Sequence, residues 1–75
     1  MIDVKFVIYN NAKEKIEKVV LSHKFNSEQE KEAQLFINTT DFQAIYSRYK
    51  LDTLKRPMLY YNNTKIGEKT LEPLD

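Results

Sequence analysis

The stretch LKRPMLYYNNTKIGE, residues 54–68, sets the fold prediction for the whole chain. It places a proline directly before an apolar run, follows the run with two asparagines, and ends beside the chain's one glycine. Helices rarely run into a proline. The pattern therefore predicts a strand over 58–61, a tight turn at Asn62-Asn63 and a return strand over 64–67.

The chain starts with a second strand signal. Residues 2–9, IDVKFVIY, are rich in branched and aromatic side chains and are apolar on both alternating faces apart from Lys5. This composition is typical of a central strand that is covered on both sides.

A helix is predicted over residues 12–24. Asn11 and Glu14 have the three-residue spacing of an N-terminal capping box. Lysines and glutamates alternate along KEKIEK while apolar and aromatic side chains recur at helical spacing. Those side chains are Ile16, Val19, Val20 and His23.

The middle of the chain leaves one alternative open. Ser27 and Glu30 could cap a helix that runs to Phe36, or residues 33–38 could form a short buried strand, and the Leu-Phe-Ile run favours the strand. The next segment predicts a helix more clearly, because Thr40 and Gln43 form a capping box. An apolar face follows at i, i+3, i+4 and i+7, made of Phe42, Ile45, Tyr46 and Tyr49.

Composition bounds the class of protein. The 75 residues predict one domain, residues 1–75, with room for a modest core and no buried cofactor. Twelve basic residues against eleven acidic ones give a net charge of +1, which makes nucleic acid an unlikely partner. There is no apolar run of the ~20 residues that a membrane span needs, and the first residues lack the features of a signal peptide. We therefore expect a cytoplasmic protein with no membrane partner.

The order strand, helix, strand, helix, proline, hairpin resembles the thioredoxin fold. Arg56-Pro57-Met58-Leu59 followed by a hairpin and Gly67 is most similar to the glutaredoxin branch and the arsenate-reductase/Spx branch. The resemblance implies an α/β fold, a small β-α-β-α-β-β mixed sheet with helices on its faces. It also implies that Pro57 is a cis proline that presents the backbone of Arg56 as an edge for an extended ligand.

The chain departs from that family in its chemistry. The family's redox cysteines would fall near Glu14 and Glu17, and the chain contains no cysteine at all. Thiol chemistry needs a thiolate, so oxidoreductase and arsenate-reductase activities are excluded. His23 is the only histidine, and a metal site generally needs three or four protein ligands. We expect neither an enzyme nor a metal or cofactor site.

These observations predict a redox-inactive, thioredoxin-like protein-binding module that acts as an adaptor or inhibitor of another protein. The lysine, asparagine and isoleucine content is typical of an AT-rich bacterial or phage genome, which favours a host-directed regulator. A homodimer stays open because small domains often bury an apolar face by pairing. The expected contact residues are Tyr9, Asn10, Asn11, Glu14, Arg56, Pro57 and Met58.

Two alternatives remain beside the binding module. One is a glutathione- or thiol-ligand-binding protein that uses groups near Tyr9 and Arg56. The other is weak nucleic-acid binding through the tyrosines and the cations of residues 50–65. The chain has five tyrosines, and strand alternation predicts that Tyr60 and Tyr61 lie on opposite faces of the sheet.

Overall fold

The computed structural model describes residues 1–74 and shows one antiparallel sheet with two short helices. Two strands come first, two helices follow, and two strands close the chain. The elements are β1 (Ile2–Asn10), β2 (Lys15–Phe25), α1 (Glu30–Thr39), α2 (Phe42–Tyr46), β3 (Lys55–Asn63) and β4 (Glu68–Pro73).

The sheet has the strand order β2-β1-β3-β4, and all of its neighbouring strands are antiparallel. The thioredoxin-like α/β prediction is therefore wrong. That fold needs a helical crossover between parallel strands, whereas here β1 turns directly into β2 and both helices lie on one face.

The predicted helix over 12–24 is the main error, because those residues form the β1–β2 hairpin and strand β2. The pairing of β1 with β2 shifts register between Phe6 and Val7 and again between Ile8 and Tyr9. Each β-bulge adds a residue and breaks the two-residue alternation of side chains. Ile16 and Val19 consequently face the same side of the sheet although they are three positions apart, an odd spacing that regular alternation would put on opposite sides. The two bulges thus give the apolar side chains of β2 the sequence spacing that is typical of a helix.

The predicted strand over 33–38 is also wrong, and the helical alternative is correct. Ala33, Phe36 and Ile37 recur at i, i+3 and i+4 and pack on the core of the sheet, which is the period of a helix. Leu35 points away and is 62% exposed. The predicted cap is different, since the helix begins after Gln29, whose side chain accepts a hydrogen bond from the Asn26 N–H at 2.8 Å.

Helix α2 confirms the next prediction in part. The four aromatic and aliphatic side chains at helical spacing all belong to the core or pack against it. The N-cap is Asp41 rather than Thr40, because the Asp41 carboxylate accepts the Ala44 N–H at 3.1 Å. The regular helix ends at Tyr46, earlier than the spacing indicated.

The second hairpin is confirmed, but its turn lies later in the sequence than predicted. Asn62 and Asn63 belong to strand β3, and the turn follows over 64–67. Asn63 is buried and its Oδ1 accepts the Lys65 N–H at 3.1 Å, which helps to begin the turn. Gly67 closes it with a φ of 71°. Strand β4 continues to Pro73, and Asp75 lies outside the described residues.

Pro57 is not the expected cis proline, since the described residues contain no cis peptide bond. It lies inside β3 opposite Ile8. Its carbonyl accepts the Leu74 N–H at 3.0 Å, so its backbone faces β4 and the missing N–H does not interrupt the β1–β3 ladder. Arg56 pairs with Tyr9 in the middle of the sheet and its backbone therefore offers no free edge.

Strand β1 forms the centre of the core, as the sequence indicated, but helices cover only one of its faces. Ile2, Val4, Phe6 and Ile8 point towards the helices and are 0–5% exposed. Tyr46 from α2 and Leu59 from β3 complete the cluster. We call this side the covered face and the other side the uncovered face. Neither helix in residues 1–74 has the length and hydrophobicity needed to cross a bilayer.

Candidate functional site

The structure brings three of the predicted contact residues to the uncovered face. Tyr9 and Arg56 are register partners on β1 and β3, and Met58 follows Arg56 on the same side of β3. Glu14, at the tip of the first hairpin, lines a shallow depression together with Tyr9.

The other predicted residues hold the fold together. Asn10 is buried, and its Oδ1 accepts the Lys13 N–H at 3.0 Å within the first hairpin turn. Asn11 donates from Nδ2 to the Thr53 carbonyl at 3.0 Å and so ties that turn to the approach to β3. Pro57 lies on the covered face. The expected helix start at Glu14 is a turn residue with a φ of 53°.

The uncovered face spans all four strands and is apolar at its centre. Register places two or more side chains from each strand on it. They include Asp3, Lys5, Val7 and Tyr9 of β1, Ile16, Val19 and Lys24 of β2, Arg56, Met58 and Tyr60 of β3, and Lys69 and Leu71 of β4.

Burial on this face falls off from the centre towards the edge. Val7 is 0% exposed although its side chain is not part of the core cluster under the helices. Val19, its partner on β2, is 44% exposed, and Ile16 is 36% exposed. Two large aliphatic side chains of the edge strand β2 are thus exposed to solvent next to the buried centre of the face.

Two lysines flank an aromatic ring on this face. The Lys5 Nζ lies 5.2 Å and the Lys69 Nζ 5.8 Å from the ring centroid of Tyr60. Both distances are within the range of cation–π attraction. The side chains of Tyr60, Lys69 and Leu71 also line the depression near Tyr9, which has a volume of about 440 Å³. The arrangement holds two ammonium groups next to an apolar surface.

Asp3 adds an unsatisfied acceptor at the same end as Lys5. Its Oδ2 lies 3.5 Å from the Lys5 Nζ, while its Oδ1 is buried and lacks a hydrogen-bond partner within residues 1–74. Leaving a buried acceptor without a donor costs about 1–3 kcal/mol. A bound molecule that donates a hydrogen bond here would recover part of that cost.

The sequence prediction missed the residues that define this surface. Lys5 was noted only as an exception in an apolar strand, and Ile16 and Val19 were assigned to a helix face. The signal that could have found them is the alternation Lys5, Val7, Tyr9, which leaves one side of β1 more polar than the other. The separation of Tyr60 and Tyr61 onto opposite faces is confirmed, since Tyr61 packs against the core while Tyr60 contacts the lysines.

Tyr46 is a shifted titratable group that serves the fold. Its hydroxyl donates to the Val7 carbonyl at 2.7 Å and lies 3.3 Å from the Met58 carbonyl. Burial raises the pKa of Tyr46 to about 12, against the opposing effect of the Met58 backbone contact. The bond gives the Val7 carbonyl a partner beside the first β-bulge. This hydroxyl anchors α2 to the sheet and is closed off from solvent.

Asp52 is a second such group and lies in the loop before β3. Backbone N–H groups of Lys55 and then Leu54 donate to its carboxylate and hold its pKa below the usual value. The two bonds measure 2.9 and 2.8 Å. They shape the turn into β3.

His23 packs on aromatic rings on the covered side of β2. Its ring stacks on Phe25 with centroids 4.3 Å apart and lies 5.4 Å from Phe36. No group of three or more His, Asp or Glu side chains in the described part of the chain is arranged to hold a metal ion.

The chain matches no protein-family model, and no curated protein or solved structure is significantly similar to it.

Proposed function

We propose that the protein is a non-enzymatic binding module, an adaptor or inhibitor, whose uncovered face docks an acidic surface of a protein partner. The observation that carries this proposal is a sheet face with an apolar centre and lysines around Tyr60, while both helices pack on the opposite face.

The size and composition of the face suit a protein partner. Four strands about 4.8 Å apart and about nine residues long give an area on the order of 600 Å². A standard interface buries about 800 Å² per partner. Tyrosine, methionine and aliphatic side chains are typical of the cores of such interfaces. A single docked protein surface could therefore cover the whole face.

The charge of the face specifies an acidic partner. Lys5, Lys24, Arg56 and Lys69 lie on it, against the carboxylates of Asp3 on β1 and Glu14 at its margin. Complementary charge steers encounter and excludes wrong partners. A second copy would bring two lysine-bearing faces together, which charge repulsion opposes.

Nucleic acid is a weaker fit to the same surface. Base recognition by a sheet face uses aromatic rings on which bases stack. Here Lys5 and Lys69 both lie over the ring of Tyr60, so a base would have to displace them. The centre beside it is aliphatic. Carboxylates of a protein partner can instead join the lysines without moving them.

Site-specific photo-crosslinking tests the proposal. A benzoylphenylalanine residue replaces Val19 on the uncovered face or, as the matched control, Leu35 on the outer side of α1. Both positions hold large, solvent-exposed aliphatic side chains. In cells of the source organism we expect a protein adduct from position 19 and not from position 35.

Charge reversal then identifies the surface. Lys5→Glu with Lys69→Glu should remove most of the adduct from position 19. Lys31→Glu with Lys50→Glu makes the same change in net charge elsewhere and should leave it unchanged. The proposal is wrong if position 35 gives the same adduct, if the adduct from position 19 contains only a second copy of the chain, or if nuclease digests it.

A further inference from the structure

A groove lies on the covered face, next to α1 and away from the surface described above. Helix α1 packs mainly on β1 and β2, and α2 packs on β2 and reaches β3 through Tyr46, so in residues 1–74 no helix packs extensively on β4. The resulting groove between α1 and β4 has a volume of about 420 Å³.

The groove contains an apolar patch beside the polar side chains of Gln34, Asn63 and Thr70. Ile37 of α1, Tyr61 of β3 and Ile66 of the second turn form this patch. Ile37 and Tyr61 are partly buried against the core, whereas Ile66 is 61% exposed. The patch thus extends the core outwards to a side chain that no helix in residues 1–74 covers.

The rim of the groove is acidic. Glu68 and Glu72 line it from β4, and Glu30 lines it from α1. Lys65 lies at one end, with its Nζ 3.9 Å from a Glu30 carboxylate oxygen. Three carboxylates and one ammonium group leave a net charge of about −2 around the apolar patch. We call this site the acidic groove.

We propose that the acidic groove binds a cationic amphipathic helix of a protein partner. Two strands span about 10 Å, which matches the diameter of one α-helix with its side chains. A helix there would lie beside α1 and place its apolar stripe on Ile37, Tyr61 and Ile66. Its lysines or arginines would meet the carboxylates of β4. This is the helix-in-groove mode of recognition.

The two described helices of a second copy do not fit as the cationic occupant. Helix α1 carries Glu30 and Glu32 against Lys31, and α2 has no charged residue. Neither described helix is cationic, so charge complementarity requires a helix from another protein. The groove and the uncovered face lie on opposite sides of the sheet, and one molecule can hold two partners at once.

The test uses a synthetic probe. A fluorescein-labelled 18-residue peptide of leucine and lysine, with leucines at i, i+3, i+4 and i+7, is titrated with the full chain at physiological salt. Fluorescence anisotropy measures affinity, and NMR chemical shifts locate the site. We expect saturable binding with shifts at Ile37, Tyr61 and Thr70. A peptide of the same composition with its leucines scrambled should bind at least tenfold more weakly.

Two charge variants complete the design. Glu68→Lys with Glu72→Lys should weaken binding at least tenfold. The control, Glu28→Lys with Glu32→Lys, makes the same change in net charge at exposed residues that do not line the groove, and should change affinity less than twofold. The proposal is overturned if the scrambled peptide binds equally well, if both variants weaken binding equally, or if the shifts fall on Val19 and Met58. Failure here leaves the crosslinking test at position 19 unaffected, because the two sites share no residue.

Discussion

The two faces of the sheet use the same four strands for different purposes. On the covered face, alternate residues of β1 from Ile2 to Ile8 are almost completely buried under two helices. On the uncovered face, only Val7 is fully buried, and the surrounding aliphatic side chains stay in contact with water. One face thus provides most of the hydrophobic stabilisation, and the other leaves apolar surface for a partner to bury.

The largest expected difference is between truncations on the two faces. Phe6 is 1% exposed and its ring meets Phe36 edge-to-face with centroids 5.9 Å apart. Phe6→Ala should lower the free energy of unfolding by about 3–5 kcal/mol, since both transfer energy and packing are lost. Val19→Ala, at a position that is 44% exposed, should lower it by less than about 1 kcal/mol.

Urea unfolding followed by circular dichroism measures both values. The slope of the free energy against urea should be the same for the two variants, which shows that only stability has changed. Equal losses of stability for Phe6→Ala and Val19→Ala would mean that the uncovered face is buried in solution. The two faces would then not differ in burial.

The hydroxyl of Tyr46 gives an intermediate effect on the covered face. Tyr46→Phe keeps the ring and removes the buried hydroxyl that donates to the Val7 carbonyl. We expect a loss of about 1–3 kcal/mol in the free energy of unfolding. Thermal or urea unfolding near neutral pH provides the measurement.

The same residue predicts a pH dependence. The pKa of Tyr46 is about 12 in the folded protein, above the value of about 10 for an unfolded tyrosine. Its contribution is therefore complete below pH 10 and falls as the pH rises towards 12. The difference in stability between the wild type and Tyr46→Phe should shrink over that range. A constant difference from pH 9 to pH 12 would show that the hydroxyl is not buried.

Sequence reasoning succeeded where local pattern and tertiary structure agree. Strand β1 has a dense run of branched side chains and was predicted within one residue of its end. The second hairpin was predicted from Pro57 and Gly67, although the turn lies farther along the chain. Helix α2 was found from its apolar spacing.

Prediction from the sequence failed where one residue pattern is compatible with both a helix and a strand. Strand β2 carries two bulges, and its apolar side chains then recur at intervals that a helix would also give. Helix α1 was read as a strand because its Leu-Phe-Ile run is apolar throughout, yet Leu35 is exposed. With β2 taken as a helix, Val19 could not be placed beside Val7, and the uncovered face could not be predicted from the sequence.

A substitution in the second turn has one of the smallest expected effects on stability, and it tests whether a loss of stability alone weakens binding. Gly67 closes the second hairpin with a φ of 71°, and a Cβ added there would meet no atom within 4 Å. Gly67→Ala should therefore cost only the strain of a left-handed backbone, about 1 kcal/mol. Urea unfolding measures this loss.

The first hairpin offers the opposite substitution. Glu14 has a φ of 53° with a side chain present, so Glu14→Gly should relieve strain. It should raise stability by less than 1 kcal/mol, because glycine also adds entropy to the unfolded chain.

Neither turn residue belongs to the apolar centre of the uncovered face. Gly67→Ala should thus leave the crosslinking yield at position 19 unchanged under conditions where the protein is folded. A lower yield that tracked the loss of stability would mean that docking depends on the rigidity of the whole sheet rather than on the side chains of one face.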